Sequence, residues 1–210
     1  MSYYQNNKSF IFSFLIKHFC SQFKTMTNST DKPDFRIDIS KALESLQSGG
    51  FMQFNSEFGW LTACDAANED CCKKLIELKQ KHSNWDLFLL VDSTSRIQSY
   101  VEVVPDIVWD LFEISEKPLT VILDGLKNMT PEVLMSNNIG FRISNETFAT
   151  NLCSRMRKPV LCLTPDIIIT ENELANKSYK VTFRIKEKFK PVLPSIIKLG
   201  TGNEIKIIRK

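Results

Sequence analysis

Along the 210-residue chain, segments with a strand-like pattern of apolar residues alternate with segments that have a helical pattern. Short apolar runs bounded by polar residues have the length and composition of strands buried in a sheet. These runs are FMQF, DLFLLVD, KPLTVILD, NIGFRIS, KPVLCLT and YKVTFRI. Segments between them carry apolar residues at helical spacing, and SIIKLGTGNEIKII is typical of a β-hairpin.

Capping residues mark where the predicted helices begin and end. Asp38 is the predicted N-cap of the helix in DISKALESLQSGG, which the glycines at its end terminate. Asn68 is the predicted cap of a helix ending near Lys81, and Asn145 of one ending near Arg157. Pro105 opens the helix DIVWDLFEI, and ENELANKS is interpreted as a polar connection. The alternation predicts a single α/β domain with a mixed parallel and antiparallel twisted sheet and flanking helices.

The N-terminal segment does not fit this pattern. SFIFSFLIKHFCSQF is too short for a membrane span and lacks the basic start and cleavage site of a signal peptide. Met26 is a second possible translation start. We therefore expect residues 1–30 to be a flexible arm or an extension before the true start, residues 31–210 to be the domain, and the protein to be cytoplasmic and not membrane-bound.

Charge is distributed unevenly along the chain. Residues 177–210 contain ten basic and two acidic residues, a balance of +8, whereas the whole chain carries +3. This asymmetry indicates either a phosphate-facing surface or a solvated lysine-rich tail, and charge alone does not separate the two.

The motifs of several kinds of chemistry are missing from the sequence. The chain has no Walker loop, GxGxxG, HExxH or Ser-His-Asp order, and it has only two histidines. Its six cysteines include no CxxC pair, so we predict no metal site and reduced thiols. Polar residues at the predicted ends of strands and helices remain as candidates, because ligands bind at such ends in α/β sheets. They are Ser56, Glu57, Lys79, Lys81, Thr164, Asp166 and Ser195.

The order of segments resembles the YrdC-like family, the threonylcarbamoyl-AMP synthases of tRNA modification. GGFMQFNSEFGWLTACDAANE resembles the first family motif, in which a strand precedes Tyr-Pro-Thr-Asp/Glu-Thr, a glycine-containing turn and Cys-Asp-Ala. The resemblance continues through KKLIELKQK, VVPDIVWDLFEISEKPLTVIL, IGFRISNETFATNLCSRMRKPV and LPSIIKLGTGNEIKIIRK. It covers the chain from about Ile37 to Lys210 and implies a YrdC-like fold.

The resemblance also implies a reaction and a set of residues. The family joins L-threonine, bicarbonate and ATP, with Mg²⁺ as part of the ATP substrate complex and no prosthetic group, to give threonylcarbamoyl-AMP and pyrophosphate. Lys79 and Lys81 match the catalytic Lys-x-Arg pair, with lysine replacing the arginine. The implied nucleotide- and substrate-binding residues are Ser56, Arg142, Thr164, Asp166 and Ser195.

Several positions depart from the family motifs. Phe58 replaces a threonine, and Asp166, after Pro165, replaces an asparagine and adds negative charge beside an expected phosphate. Lys81 keeps the charge of an arginine but loses its planar fork. Leu61 stands where a turn glycine is usual, which predicts an altered backbone at the turn. These departures predict weakened turnover.

Two interpretations therefore stay open. The chain is either a divergent, weakened threonylcarbamoyl-AMP synthase or a catalytically inactive paralogue that binds nucleotide, double-stranded RNA or tRNA. The family fold is described as able to bind double-stranded RNA, which proteins recognise mostly by shape and backbone. The candidate RNA-binding residues are Lys186, Lys188 and Lys190.

Overall fold

The computed structural model describes residues 35–136, 139–165, 167–181, 192–200 and 204–210. The expectations for residues 1–30, Asp166, Lys186, Lys188 and Lys190 lie outside these ranges. The helices are α1 (Phe35–Gln47), α2 (Glu69–Lys81), α3 (Thr94–Ile97), α4 (Ile107–Ile114), α5 (Pro131–Met135), α6 (Thr147–Met156) and α7 (Glu171–Leu174). The strands are β1 (Phe51–Ser56), β2 (Gly59–Asp65), β3 (Leu87–Val91), β4 (Leu119–Leu123), β5 (Gly140–Ile143), β6 (Val160–Leu163), β7 (Ser178–Lys180), β8 (Ser195–Leu199) and β9 (Ile205–Arg209).

The described strands form one sheet in the order β7-β1-β2-β6-β3-β5-β4-β8-β9. Parallel pairs (β1 with β7, β3 with β5, β4 with β8) are mixed with antiparallel pairs such as β3 with β6. The predicted mixed α/β fold is confirmed, as is the predicted hairpin, because β8 and β9 pair antiparallel.

The core lies on both faces of the sheet. Every residue of β3 is buried because alternate side chains enter different apolar clusters. Leu87 and Leu89 belong to the cluster that includes Leu75 of α2, whereas Phe88 and Leu90 belong to the cluster with α1 and α6. Helices on both faces explain why the strand lacks polar alternation.

The N-cap of α2 and the glycine end of α1 agree with the prediction, whereas the N-caps of α1 and α6 differ from it. The Asn68 side chain accepts a hydrogen bond from the Cys71 amide at 2.9 Å, as predicted. Asp38 lies inside α1, which begins at Phe35, and accepts a 2.5 Å hydrogen bond from the Tyr179 hydroxyl. The N-cap of α6 is Glu146, one residue after the predicted Asn145. The Asp38 carboxylate, which the local pattern predicted to cap a helix, thus binds the Tyr179 hydroxyl instead.

Two further segments differ from the sequence prediction. The segment interpreted as a polar connection contains α7, which Thr170 and Glu173 begin with a capping box. Leu61 lies within β2 and is fully buried, so the expected change of the turn at this position is wrong. The turn residue with positive φ is Gly59, at +100°. No helix in the described part of the chain is long and apolar enough to cross a membrane.

Candidate functional site

Asp86, immediately before β3, is the centre of a charged cluster at one end of the sheet. Its carboxylate accepts hydrogen bonds from both terminal nitrogens of Arg209, at 2.9 and 2.5 Å, and from Nη2 of Arg142 at 3.2 Å. Arg209 Nε donates to the Pro194 carbonyl at 2.7 Å. Strands β3, β5 and β9 therefore bring two arginines onto one carboxylate.

The backbone of Asp86 is held by the neighbouring strand β6. Thr164, which follows β6, accepts a hydrogen bond from the Asp86 amide at its hydroxyl, at 2.8 Å. The Thr164 amide in turn donates to the Asp86 carbonyl at 2.9 Å. The hydroxyl predicted to bind nucleotide thus positions Asp86.

Arg142 is a cation enclosed in the protein interior. Its side chain is 0% exposed, and its guanidinium lies over the rings of Phe88 (3.7 Å) and Phe58 (4.7 Å). Its Nε and Nη2 donate to the Thr120 hydroxyl at 2.9 and 2.7 Å. Arg142 Nη1 is buried and has no hydrogen-bond partner among the residues that the structure describes. Attraction to the ring faces offsets part of the cost of burying this charge.

The cluster is ionised at neutral pH. Burial alone would raise the pKa of Asp86, but hydrogen bonds from Arg209 and the charges of both arginines hold that pKa below its usual range. Burial lowers the pKa of Arg142 to about 10, and Asp86 limits the decrease. Two positive charges and one negative charge leave a net positive site.

Two cavities meet at Asp86. One, of about 570 Å³, is lined by aliphatic side chains including Ile76 and Ile196, with Lys79 and Arg209 among its polar groups. The other, of about 540 Å³, is lined by Trp60, Thr164 and residues 192–194. Both volumes fall within the range of small-molecule sites.

The structure brings together some of the predicted site residues. Lys79 lines the first cavity and donates to the Ser83 carbonyl at 2.6 Å, while Arg142 lines the same cavity. Thr164 lines the second cavity. Ser195 begins β8 between Pro194, which lines the second cavity, and Ile196, which lines the first.

Other predicted residues lie apart. Lys81 is exposed at the end of α2 and is not among the described residues that line either cavity, so the Lys79–Lys81 pair does not converge. Ser56 is buried, and its hydroxyl donates to the Gly59 carbonyl at 3.0 Å and accepts from the Phe58 amide at 3.1 Å. Its hydroxyl therefore closes the β1–β2 turn.

The sequence reasoning missed Asp86, Arg209 and Thr120. Asp86 directly precedes the apolar strand LFLLV, so the rule for carboxyl ends of strands that selected Thr164 did not cover it. The two residues share one edge of the sheet because β3 and β6 are antiparallel. Arg209 carried no comparable signal, because it lies inside a hairpin strand 123 positions from its partner.

A buried acid lies near the β1–β2 turn, outside the arginine cluster. Burial and the charge of Glu57 raise the pKa of Glu146 to about 8, and its Oε2 has no hydrogen-bond partner among the described residues. Glu57 accepts hydrogen bonds from the Ser144 hydroxyl at 2.8 Å and the Asn145 amide at 3.2 Å. Within the described ranges, no group of three or more His, Cys, Asp or Glu residues is arranged to hold a metal ion.

Together, the two cavities that share Asp86 form the cleft. The fold and the site define an α/β protein whose cleft carries a net positive charge, the kind of site that suits an anionic small molecule. The chain belongs to the Sua5/YciO/YrdC family, whose model, described as telomere recombination, matches residues 44–209. The predicted YrdC-like resemblance is thereby confirmed.

Individual relatives are distant. The chain is 23% identical over 135 residues to the threonylcarbamoyl-AMP synthase of Marinobacter nauticus, covering 63% of this chain and 70% of that protein. It is similar in fold to E. coli YciO, with a TM-score of 0.64 at 18% identity over 86% of this chain and 91% of YciO. The P. abyssi Sua5 structure with L-threonine gives a TM-score of 0.59 at 16% identity and covers 77% of this chain. The chain spans about half the length of that Sua5, at 50%.

Proposed function

We propose that this chain is a divergent threonylcarbamoyl-AMP synthase. In this proposal it binds ATP, with Mg²⁺ as part of the substrate complex, and L-threonine in the cleft around Asp86, and uses bicarbonate to form threonylcarbamoyl-AMP and pyrophosphate slowly. The observation that carries the proposal is that Lys79, Arg142 and Arg209 all line the first cavity, which shares Asp86 with the second. Membership of the family and the synthase named in Marinobacter nauticus support it.

Each cationic group has a role suited to its position. Lys79 lines the first cavity and provides a point charge for a phosphate, while the buried guanidinium of Arg142 contributes its positive charge from behind the cavity wall without a direct hydrogen bond to the ligand. Positioning and charge neutralisation of this kind are the main contributions a protein makes to chemistry around phosphates. The threonine present in the P. abyssi Sua5 structure supports an amino acid as the second ligand.

Slow turnover follows from what the cleft lacks. Lys81 is exposed and apart from the described cavity walls, and the ring of Phe58 stacks on Arg142 where the family has a hydroxyl. Loss of a single positioned donor typically costs a factor of about 10²–10³ in rate, so the absence of two predicts a rate at least about a thousand-fold below that of a motif-complete relative.

Pyrophosphate release tests the proposal. We expect slow release that requires ATP, L-threonine and bicarbonate together, measured beside the Marinobacter nauticus synthase. Lys79→Ala should abolish this release, because it removes the charge in the cavity wall. Lys73→Ala, an exposed lysine on the same helix, should leave it unchanged. A rate equal to that of the relative would refute the slow-turnover part.

A second candidate function is favoured by the +8 balance of residues 177–210. If no threonine-dependent release is detected at any enzyme concentration, the synthase proposal fails. The chain would then be a catalytically inactive paralogue that binds nucleotide, double-stranded RNA or tRNA. Calorimetric titration with ATP would measure nucleotide binding, and titration with a structured RNA would measure RNA binding.

A further inference from the structure

Arg209 binds Asp86 in the way that arginine binds an oxyanion ligand. Both terminal nitrogens of Arg209 donate to its two carboxylate oxygens, which is the fork geometry that arginine also uses for phosphate. The remaining nitrogen of Arg209 is bonded to the Pro194 carbonyl. Arg209 therefore has every side-chain nitrogen engaged within the protein.

The same carboxylate engages the second arginine. Arg142 Nη2 donates to Asp86 and Thr120, Arg142 Nε donates to Thr120, and Nη1 is buried, so no nitrogen of Arg142 is open to a ligand. A cluster that serves stability alone does not need to lie where ligands can reach it. Asp86 lines both cavities, and its side chain and that of Arg209 are 16% and 25% exposed.

Asp86 cannot easily move aside for a ligand. Thr164 bonds both its amide and its carbonyl, and the next residue, Leu87, is buried at the start of β3. A phosphate entering the cleft would meet a fixed negative charge in the place where its own charge would be neutralised. The Asp86 carboxylate therefore stays in place when a ligand binds, and its charge influences which ligands bind.

We propose that Asp86 is a specificity-determining residue that acts as an internal anion and makes the cleft favour singly phosphorylated adenylates over polyphosphates. This inference rests on the proposed function, because it takes the cleft as the nucleotide site. It predicts that the cleft binds an adenylate such as threonylcarbamoyl-AMP in preference to ATP and pyrophosphate. It also adds a second reason for slow turnover, distinct from Lys81 and Phe58.

Calorimetric titration of AMP, ATP and inorganic pyrophosphate at low salt tests the inference. The unaltered chain should bind AMP at least as tightly as ATP, and pyrophosphate weakly or not measurably. Asp86→Asn should raise affinity for pyrophosphate and ATP about tenfold or more, and affinity for AMP by less than about threefold, since removing one fixed charge matters most for the most charged ligand. Asp92→Asn, which removes an ion pair with Arg96 elsewhere, should change none of these affinities. Unchanged pyrophosphate affinity in folded Asp86→Asn overturns the inference.

If Asp86→Asn does not fold, the unaltered chain still tests the inference, because ATP or pyrophosphate bound more tightly than AMP overturns it. Where Asp86→Asn folds, adding Arg209→Gln should remove its gain in pyrophosphate affinity, because Arg209 has then lost its carboxylate partner and is the group that binds the phosphate. Tight pyrophosphate binding that Arg209→Gln alone abolishes overturns the inference. Threonine-dependent turnover with no effect of Asp86→Asn refutes only this inference. A higher pyrophosphate affinity in Asp86→Asn, together with no threonine-dependent turnover by the unaltered chain, refutes only the proposed synthase activity.

Discussion

Glu146 is a carboxyl group whose surroundings disfavour its charged form. Its side chain is 7% exposed, its Oε2 has no partner among the described residues, and the Glu57 carboxylate lies close enough to repel it. The pKa of about 8, against an ordinary 4.5, means that the folded protein keeps this proton at neutral pH. The unfolded chain releases it near the ordinary value, so folding and protonation are linked.

Replacement of this acid should change the dependence of stability on pH. Because the pKa is raised on folding, the contribution of Glu146 is fully present below about pH 4.5 and is lost as the pH rises towards about 8. Each unit of pKa corresponds to about 1.4 kcal/mol, so the decrease over this window is on the order of a few kcal/mol. We expect Glu146→Gln to be more stable than the unaltered chain at pH 8, and the difference to shrink towards pH 5, as measured by urea unfolding.

Glu44→Gln, an exposed acid on α1, is the matched control and should show no such pH-dependent difference. A constant difference between Glu146→Gln and the unaltered chain from pH 5 to pH 8 would mean that Glu146 is already ionised in the folded protein.

At the scale of elements, Gly140 in β5 lies where two strands approach closely. A Cβ atom there would lie 2.7 Å from Cγ2 of Thr120 and 2.8 Å from the Val121 carbonyl oxygen on β4. The backbone of β4 would have to move, and Thr120 is the residue that holds Arg142. Even a methyl side chain at position 140 would therefore displace β4 and, through Thr120, disturb Arg142 in the site.

Gly140→Ala should destabilise the protein by about 1–3 kcal/mol, the usual cost of overpacking a core. It should also weaken ATP binding, because Thr120 shifts with β4. Gly200→Ala after β8 is the control, because its Cβ would approach only the Glu204 side chain, at 3.3 Å or more, and should cost within about 0.5 kcal/mol. Equal unfolding midpoints for the two variants would show that β4 yields without strain.

Local patterns predicted the elements that depend on local physics. The apolar run of β3 and the Asn68 cap of α2 are visible in the sequence because burial on both faces and amide capping each need particular residues at adjacent positions. Asp38 was assigned wrongly because its partner, the Tyr179 hydroxyl, is 141 positions away. The site was only partly predictable for the same reason, since the pairing of Asp86 with Arg209 follows from the strand order β3-β5-β4-β8-β9 and not from any local motif.

At the scale of the whole molecule, the uneven distribution of charge along the chain predicts how the protein binds nucleic acid. Residues 177–210 carry +8, and the rest of the chain is net negative because the total is +3. Weak, sequence-independent binding to structured RNA should follow, with log affinity falling linearly with log salt as bound phosphates release counterions.

Replacing Lys186, Lys188 and Lys190 together with glutamate should weaken this binding equally for all RNA sequences. The salt slope should fall by roughly 0.7–0.9 for each phosphate that the protein no longer neutralises, as measured by filter binding across a salt series. Glutamate at Lys41, Lys73 and Lys117, which are exposed elsewhere on the domain, makes the same change in net charge and should have a smaller effect. Equal weakening by the two triple variants would assign the binding to net charge alone.

The position of Arg209 on the last described strand links the cleft to local opening of the sheet. Strand β9 has a hydrogen-bonded neighbour on one side only among the described strands, β8, and its isoleucines at 205, 207 and 208 are each about half exposed. Such an edge hairpin exchanges its amide hydrogens through openings far smaller than global unfolding. Whenever β9 detaches, Asp86 loses its closest counter-charge and Arg142 becomes its remaining cation in the described cluster. The protection of the β9 amides against exchange therefore reports the free energy of this opening, and with it the fraction of molecules in which the cleft charges are rearranged.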